Sequence, residues 1–498
     1  DASGGGIASG SWINVDYNTY WSVETVVNEQ GWFAEMRIPL SSLRFQEQNG
    51  RVTMGLIVQR KIARRGERVV FPAVKPDAQY AFLKPSRAHH IVLEDVESER
   101  PVHVTPYGLG GFERVSALNE DESRYVMQDD FQQDVGLDVK YRMSNLSMDL
   151  TVNTDFAQVE ADNEQINLSR FSLFFPEKRR FFQERAGLFE FRTGGRSRLF
   201  HSRRIGITED GQPVRILGGA RVVGRIDDWD VGVMDMQTKS TSGLPSENFG
   251  VLRMRRKVLN PYSYAGGLFT SRVGMDGTYN VTYGLDGLFR VVGDDYLSVK
   301  WAQTIDDVLV NNDLLTPINS GRLALEFERR RRQGVGFDFF LTRSGPFYDP
   351  GMGFTRRDDF LNLDNTLSYT WMPGVGSDLI WHTLAVNGYG FLRNEEGTVE
   401  SAALETSWDF TARTQASGGA LARLQYEDIL APFSLSESTH IPAGSYSFAT
   451  VQANYQTPYT DLVDTGAQVE AGTFYDGWQV SAQLTPSWSL SKHFELEG

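Results

Sequence analysis

Residues 134–153 read DVGLDVKYRMSNLSMDLTVN, and their alternation decides the fold. Val135, Leu137, Val139 and Tyr141 interleave with Gly136, Asp138, Lys140 and Arg142. After the Ser144-Asn145 step, Leu146, Met148, Leu150 and Val152 interleave with Ser147, Asp149, Thr151 and Asn153. A period of two gives each strand one oily and one polar face, and the step between them reads as a tight turn. The same pattern continues to the end of the chain. Val335, Phe337, Phe339 and Leu341 repeat it, as do Val480, Ala482, Leu484 and Trp488 against Gln479, Ser481, Gln483 and Ser487.

Connection lengths narrow the architecture. Tight turns are expected near Ser144-Asn145, Asp227-Asp228, Asn260-Pro261, Gly293-Asp294, Arg332-Gln333, Pro373-Gly374, Ser417-Gly418 and Pro458-Tyr459. Between them lie longer polar connections at residues 238–247, 304–320, 343–359 and 428–444. Two long strands, one short turn and one long loop per repeat is the pattern of an outer-membrane barrel, here of about eighteen or more strands. A soluble β-propeller needs four short strands per blade, whereas these repeats hold two long ones, and the single Asp-Trp step, Asp228-Trp229, opens a strand.

Composition removes other classes. The 498 residues carry 49 Lys+Arg against 64 Asp+Glu, a formal charge of −15, so a general nucleic-acid binder is not expected. With no cysteine there are no disulfides, thiolate metal sites or cysteine nucleophiles. No apolar run reaches the length of a membrane-spanning helix, so a membrane role must be a barrel's. The first residues carry no basic or apolar leader and residues 493–497 read as a strand just beginning, so both ends are expected to be truncated.

Two stretches resemble known families. Gly31-Trp32-Phe33-Ala34-Glu35-Met36-Arg37-Ile38-Pro39-Leu40, with Leu43, Arg44 and Phe45, resembles the closing segment of family 9 carbohydrate-binding modules. Residues 152–162 (VNTDFAQVEAD), Gln165 to Phe171, and Phe174-Phe175-Pro176-Glu177-Lys178-Arg179 are similar to a bacterial family of outer-membrane β-barrels of unknown function. Phe181-Phe182, Gly187-Leu188-Phe189, residues 202–206 and Tyr348-Asp349-Pro350-Gly351-Met352-Gly353-Phe354 continue that likeness. Arg180 and Gln183 stand where that family has Pro and an apolar residue. The resemblance implies a barrel preceded by a carbohydrate-module-like domain, here lacking its N-terminal half. Any sugar stacking would then fall to Trp12, Trp21 and Trp32.

Residues 155–206 form the one long insertion, and its charge is segregated. Asp155, Glu160, Asp162 and Glu164 come first, an acidic loop whose spacing fits no calcium frame. Ten cations follow, namely Arg170, Lys178, Arg179, Arg180, Arg185, Arg192, Arg196, Arg198, Arg203 and Arg204, against three glutamates. Guanidinium forks hold carboxylate, phosphate or sulfate bidentately, so Arg170, Lys178, Arg179, Arg180, Arg185, Arg203 and Arg204 are expected to make an anion constriction. The same arginines could instead neutralise strand carboxylates such as Asp138, Asp149, Glu326, Asp338, Glu405 and Asp409. The seven histidines are scattered without zinc-helix spacing, and only His440, in an outer loop, could serve a rim hydrolase. Trp301, Trp371, Trp408, Trp478 and Trp488 are expected near strand ends as a membrane-interface girdle.

The expectation is therefore an all-β chain: residues 1–98 part of a periplasmic carbohydrate-module-like β-sandwich, residues 99–498 a large antiparallel transmembrane barrel, and residues 155–206 a plug or constriction. It sits among outer-membrane lipid in a Gram-negative bacterium and passes or captures a polar solute, a saccharide or anionic glycan. No cofactor, metal or catalytic residue is assigned. A glycan-acting hydrolase and a soluble carbohydrate-binding protein are the competing readings.

Overall fold

A half-oily, half-polar strand can satisfy its backbone and bury one face at once only if the ladder is long or closed. The structure, a computed structural model, describes residues 21–498 apart from 41–42, 44, 46, 63–66, 75–80, 84, 97–101, 120–123, 144, 155–170, 184, 209–210, 242, 437–438, 459–460 and 492–493. Short strands come first: β1 (Ser22–Asn28), β2 (Gly31–Arg37), β3 (Glu47–Gln48), β4 (Arg51–Leu56), β5 (Val58–Ile62), β6 (Glu67–Phe71) and β7 (His89–Glu94). They pair as three small sheets, β1-β2, β3-β4-β7 and β5-β6.

The long strands follow. They are β8 (Val102–Leu118), β9 (Tyr125–Met143), β10 (Leu146–Val152), β11 (Ile216–Ile226), β12 (Trp229–Thr238), β13 (Glu247–Lys257), β14 (Tyr264–Gly274), β15 (Tyr279–Val292) and β16 (Asp295–Asp306). Next come β17 (Gly321–Arg329), β18 (Gly334–Ser344), β19 (Phe360–Trp371), β20 (Leu379–Arg393), β21 (Val399–Ala412) and β22 (Ser417–Ile429). A small hairpin, β23 (Phe433–Ser436) and β24 (Thr439–Ile441), precedes β25 (Gly444–Gln456), β26 (Val463–Phe474), β27 (Gly477–Ser491) and β28 (Phe494–Glu497). All but that hairpin join one closed barrel of nineteen strands, in chain order, with β28 completing the ring against β8. Consecutive neighbours are antiparallel, as in Asp149↔Lys140 and Asp149↔Arg221 on the two sides of β10.

The alternation read from the sequence sorts residues in and out. In β13, Phe249, Val251 and Arg253 are buried while Leu252 and Met254 are exposed. Around the ring the outer face carries exposed Leu252, Phe269, Leu285, Phe339, Leu367, Val386, Leu404, Leu424, Val451, Val469 and Leu484. Trp371 ends β19 on that face, and its ring stacks on His382 of β20 at 4.9 Å.

Some local expectations change. Ser417-Gly418 opens β22, and the turn lies just before it at 413–416. Trp301 falls in the middle of β16, opposite Leu285, because the strand runs on to Asp306 rather than ending near the tryptophan. Connections at the end opposite the tight turns are not uniformly long: 275–278, 394–398 and 475–476 are tight as well.

Candidate functional site

The connection from β10 to β11 spans residues 153–215, and its described part lies against the inner face of the wall from β11 to β18. Phe181 meets the Arg221 guanidinium of β11 at 4.9 Å, and Phe191 meets Arg253 of β13 at 5.9 Å. Farther round, the Thr193 carbonyl accepts from Arg322 of β17 and from Thr342 of β18. Phe181, Phe182, Leu188, Phe189, Phe191, Leu199, Phe200 and Ile205 share one buried core with Ile216, Val223, Met234, Met236, Phe249, Val251 and Leu268 of the wall. Each large apolar side chain so buried contributes roughly 1.5–3 kcal/mol. Gly284 makes the approach possible, since a Cβ there would lie 2.7 Å from the Phe191 ring.

The insert is tied at its other side to the loop after β18. Arg198 and Phe354 exchange backbone hydrogen bonds of 2.8 and 2.9 Å, and His201 N–H donates to Met352 O at 2.7 Å. Gly353 sits in this junction, where a Cβ would meet the Arg198 carbonyl at 2.5 Å. This explains why the insert stretch and the Tyr348 to Phe354 stretch, far apart in sequence, belong together.

The expected arginine constriction divides into different jobs. Arg179 is buried and gives Nε and Nη2 to Glu177 at 2.9 and 2.8 Å, Nη1 to Ile205 O and Nη2 to Ser202 O. Burial works against the Glu177 charge, but Arg179 and the Ser202 hydroxyl hold its carboxyl below the usual range. The pair is a clasp closing the insert on itself. Arg203 donates to Pro176 O and Arg204 to Gly353 O, so both also fasten backbone. Lys178 is half-buried, and Arg180 opens the one-turn helix Arg180–Gln183. Arg185 lines a wide space at the tight-turn end with Arg142, Arg225 and Arg255 of the wall and Arg51 of β4. His201 is buried among Phe174, Phe354 and arginines; burial, then Arg198, lowers its pKa to about 3. Arg170 and the acidic loop Asp155, Glu160, Asp162 and Glu164 lie outside the described residues.

A second arginine group has a different character. Arg196 and Arg198 stand 5.5 and 4.4 Å from the Phe174 ring, while Arg356 and Arg357 stand 5.9 and 4.2 Å from Phe171. Arg198 and Arg357 have carboxylates in reach, Glu190 at 3.8 Å and Glu400 at 3.0 Å. Arg196 and Arg356 form no ion pair with a described residue. Burial, then repulsion from Arg196, lowers the Arg356 pKa, as expected where guanidiniums crowd. Arg356 and Arg357 were not among the residues singled out in the sequence. Their signal was there, in two adjacent arginines directly after the Tyr348 to Phe354 stretch.

Phe171 also lines a cleft at the loop end of β22, β25, β26 and β27. Its walls are Phe433, Phe448, Phe474 and Tyr475 on one hand and Arg423, Gln425, Glu427, Glu470 and Gln479 on the other. Tyr475 is held among Tyr446, Phe448 and Phe474 at 4.8 to 5.1 Å, and its hydroxyl donates to Glu427 at 3.1 Å. Aromatic faces beside fixed amides and carboxylates suit a polar ring with apolar C–H faces.

The remaining candidates are not gathered. Trp12 lies outside the described residues. Trp21 precedes Ser22↔Arg37 whereas Trp32 pairs with Val27, so the two stand about six residues, roughly 20 Å, apart along one exposed hairpin. His440 Nδ1 and Ser434 Oγ are 2.7 Å apart on the exposed β23–β24 hairpin. No carboxylate among the described residues orients that imidazole, and nothing there excludes water.

Residues 112–223, which run from β8 through the insert into β11, match the family model described as Domain of unknown function (DUF5916). No curated protein matches the chain. Among solved structures, the chain is similar to OccAB3 of Acinetobacter baumannii at 10% identity and a TM-score of 0.33, over 80% of this chain and 100% of that one. It is also similar to OccK7 (OpdD) of Pseudomonas aeruginosa at 12% identity and a TM-score of 0.29, over 90% of this chain and 93% of that one. At such scores the barrel rests on the chain's own strand ladder.

Proposed function

We propose that this chain is an outer-membrane β-barrel that passes or captures a polar solute, an anionic saccharide, alongside an insert acting as constriction. The exposed apolar belt on the outer face supports the membrane setting, since so large an uncovered apolar surface is not tolerated in water. Outer-membrane barrels keep their short turns on the periplasmic side, so the tight-turn end, where the N-terminal sheets join β8, is read as facing the periplasm. The observation that carries the solute reading is the junction at Phe171. Arg356 and Arg357 stand at that ring and Arg196 acts on Arg356, with neither Arg196 nor Arg356 ion-paired among the described residues, and the same ring lines the aromatic and amide cleft. A sugar bearing carboxylate or sulfate can meet ring faces and a guanidinium at once.

The test is a planar-bilayer recording of the full chain with oligogalacturonate and a neutral maltooligosaccharide as probes. Oligogalacturonate is expected to interrupt the current at least tenfold lower in concentration than the neutral sugar, and less so as salt rises. A barrel that conducts and is blocked by neither sugar overturns the saccharide reading. Recovery of the full-length protein in a detergent-free soluble fraction overturns the membrane reading.

A further inference from the structure

Among the described residues four arginines are almost completely buried: Arg179, Arg221, Arg253 and Arg322, each 3% exposed or less. Three have a carboxylate. Arg179 has Glu177, Arg221 has Asp149 at 2.9 Å, and Arg253 grips Asp286 with Nη1 and Nη2 at 2.6 and 2.7 Å. Arg322, near the start of β17, has none. Its Nη2 donates to Thr193 O at 3.2 Å, while Nε and Nη1 meet no acceptor. A guanidinium keeps its charge at any working pH, so neutralisation by proton loss is closed to it. The Phe360 and Tyr348 rings lie 5.1 and 5.8 Å from it. Such ring contacts recover only a small part of the desolvation cost of one buried ion.

The surroundings supply further donors instead of a carboxylate. Ser344 is the cross-strand partner of Arg322, so its hydroxyl shares the inner face, and Thr193 and Tyr348 adjoin the guanidinium. Ser344 Oγ, Thr193 Oγ1 and Tyr348 Oη are all buried and without partners. Water could occupy those donors but would leave the positive charge uncompensated. A small anion satisfies both requirements. We propose that Arg322, with the Thr193, Ser344 and Tyr348 hydroxyls, binds a small inorganic anion of the chloride class where the insert, the wall and the loop after β18 meet. The anion supplies at β17 the negative charge that Asp286 supplies at β15, and so fastens the far edge of the insert. This site is separate from the solute passage and does not depend on the proposed transport role.

The experiment replaces chloride by bromide during refolding and crystallisation of the full chain in detergent. Anomalous bromine density beside Arg322 Nε and Nη1 is expected in the wild type and not in Arg322→Met. Wild-type crystals with water alone at that place overturn the proposal. Because Arg322→Met could fail to fold, Tyr348→Phe is the second variant, read by thermal unfolding in chloride against gluconate at equal ionic strength. The wild type should melt higher in chloride, and Tyr348→Phe should move the midpoint of the chloride response roughly tenfold upward, the effect of one lost hydrogen bond to a charged group. A chloride response that is absent, or the same in both proteins, counts against the site.

Discussion

From β11 to β14 the inner wall presents Val223, Met234, Met236, Phe249, Val251 and Leu268 to the phenylalanines of the insert, whereas from β19 to β22 it presents Thr366, Asn387, Glu405 and Gln425, none of them buried. Charges follow the same division. On the covered side Arg221–Asp149 and Arg253–Asp286 are desolvated pairs with matched geometry. On the uncovered side Arg423–Glu405, at 2.7 Å, has side chains 31% and 20% exposed. The same barrel wall thus uses its inward positions in two ways. Where the insert lies they build a core, and a charge must be paired to be there. On the uncovered side the Arg423–Glu405 pair stays partly exposed, where a charge costs little and, on the proposed function, is free to set solute preference.

The sharpest break of this comparison is Asp286→Ala. It leaves the buried Arg253 charge alone and is expected to destabilise the folded barrel by about 3–5 kcal/mol, with most of the loss recovered in an Arg253→Met/Asp286→Ala double variant. Urea unfolding in micelles, followed by the shift between unheated and boiled gel mobility, measures it. A loss below about 1 kcal/mol would show that water reaches this side too.

His201 gives a smaller effect with a defined sign. Its folded pKa, about 3, lies below the ordinary histidine value, so the unfolded chain takes the proton first as pH falls. The stability it contributes is complete above about pH 6.5 and declines toward pH 3, by about 1.4 kcal/mol per pH unit and so roughly 2 kcal/mol by pH 5. In His201→Phe that part of the slope should vanish. An unchanged slope would mean that the imidazole is hydrated.

Smallest in stability is Glu405→Gln on the uncovered wall, expected to cost less than about 1 kcal/mol because the pair it breaks is solvent-screened. Its effect should appear in conduction instead. Freeing the Arg423 charge moves ion preference toward anions, measured as a reversal-potential shift in a salt gradient.

Much of this division was written in the strands and little of it in the insert. Alternation at Val135 to Tyr141 and Val335 to Leu341 gave the outer face, because a period of two needs only local information. Met234, Met236, Phe249 and Val251 carried a further signal, apolar residues on what should be the polar face of a barrel strand, which means that something apolar covers them. The arginines were harder. Arg179 and Arg196 look alike in sequence, yet one is clasped by Glu177 two residues away and the other has no ion partner among the described residues, a difference set by which way the backbone turns. Arg356 became part of the site only through the junction of Arg198 with Phe354.

The central claim is that the unclasped arginines, not the clasped ones, set solute preference. Arg196→Gln/Arg356→Gln in the full chain tests it most directly, by reversal potential in a potassium chloride gradient across a planar bilayer. With heat-modifiable mobility intact, the double variant is expected to shift clearly toward cations and to lose its preferential block by oligogalacturonate. An unchanged reversal potential and an unchanged block in a folded barrel would contradict the account.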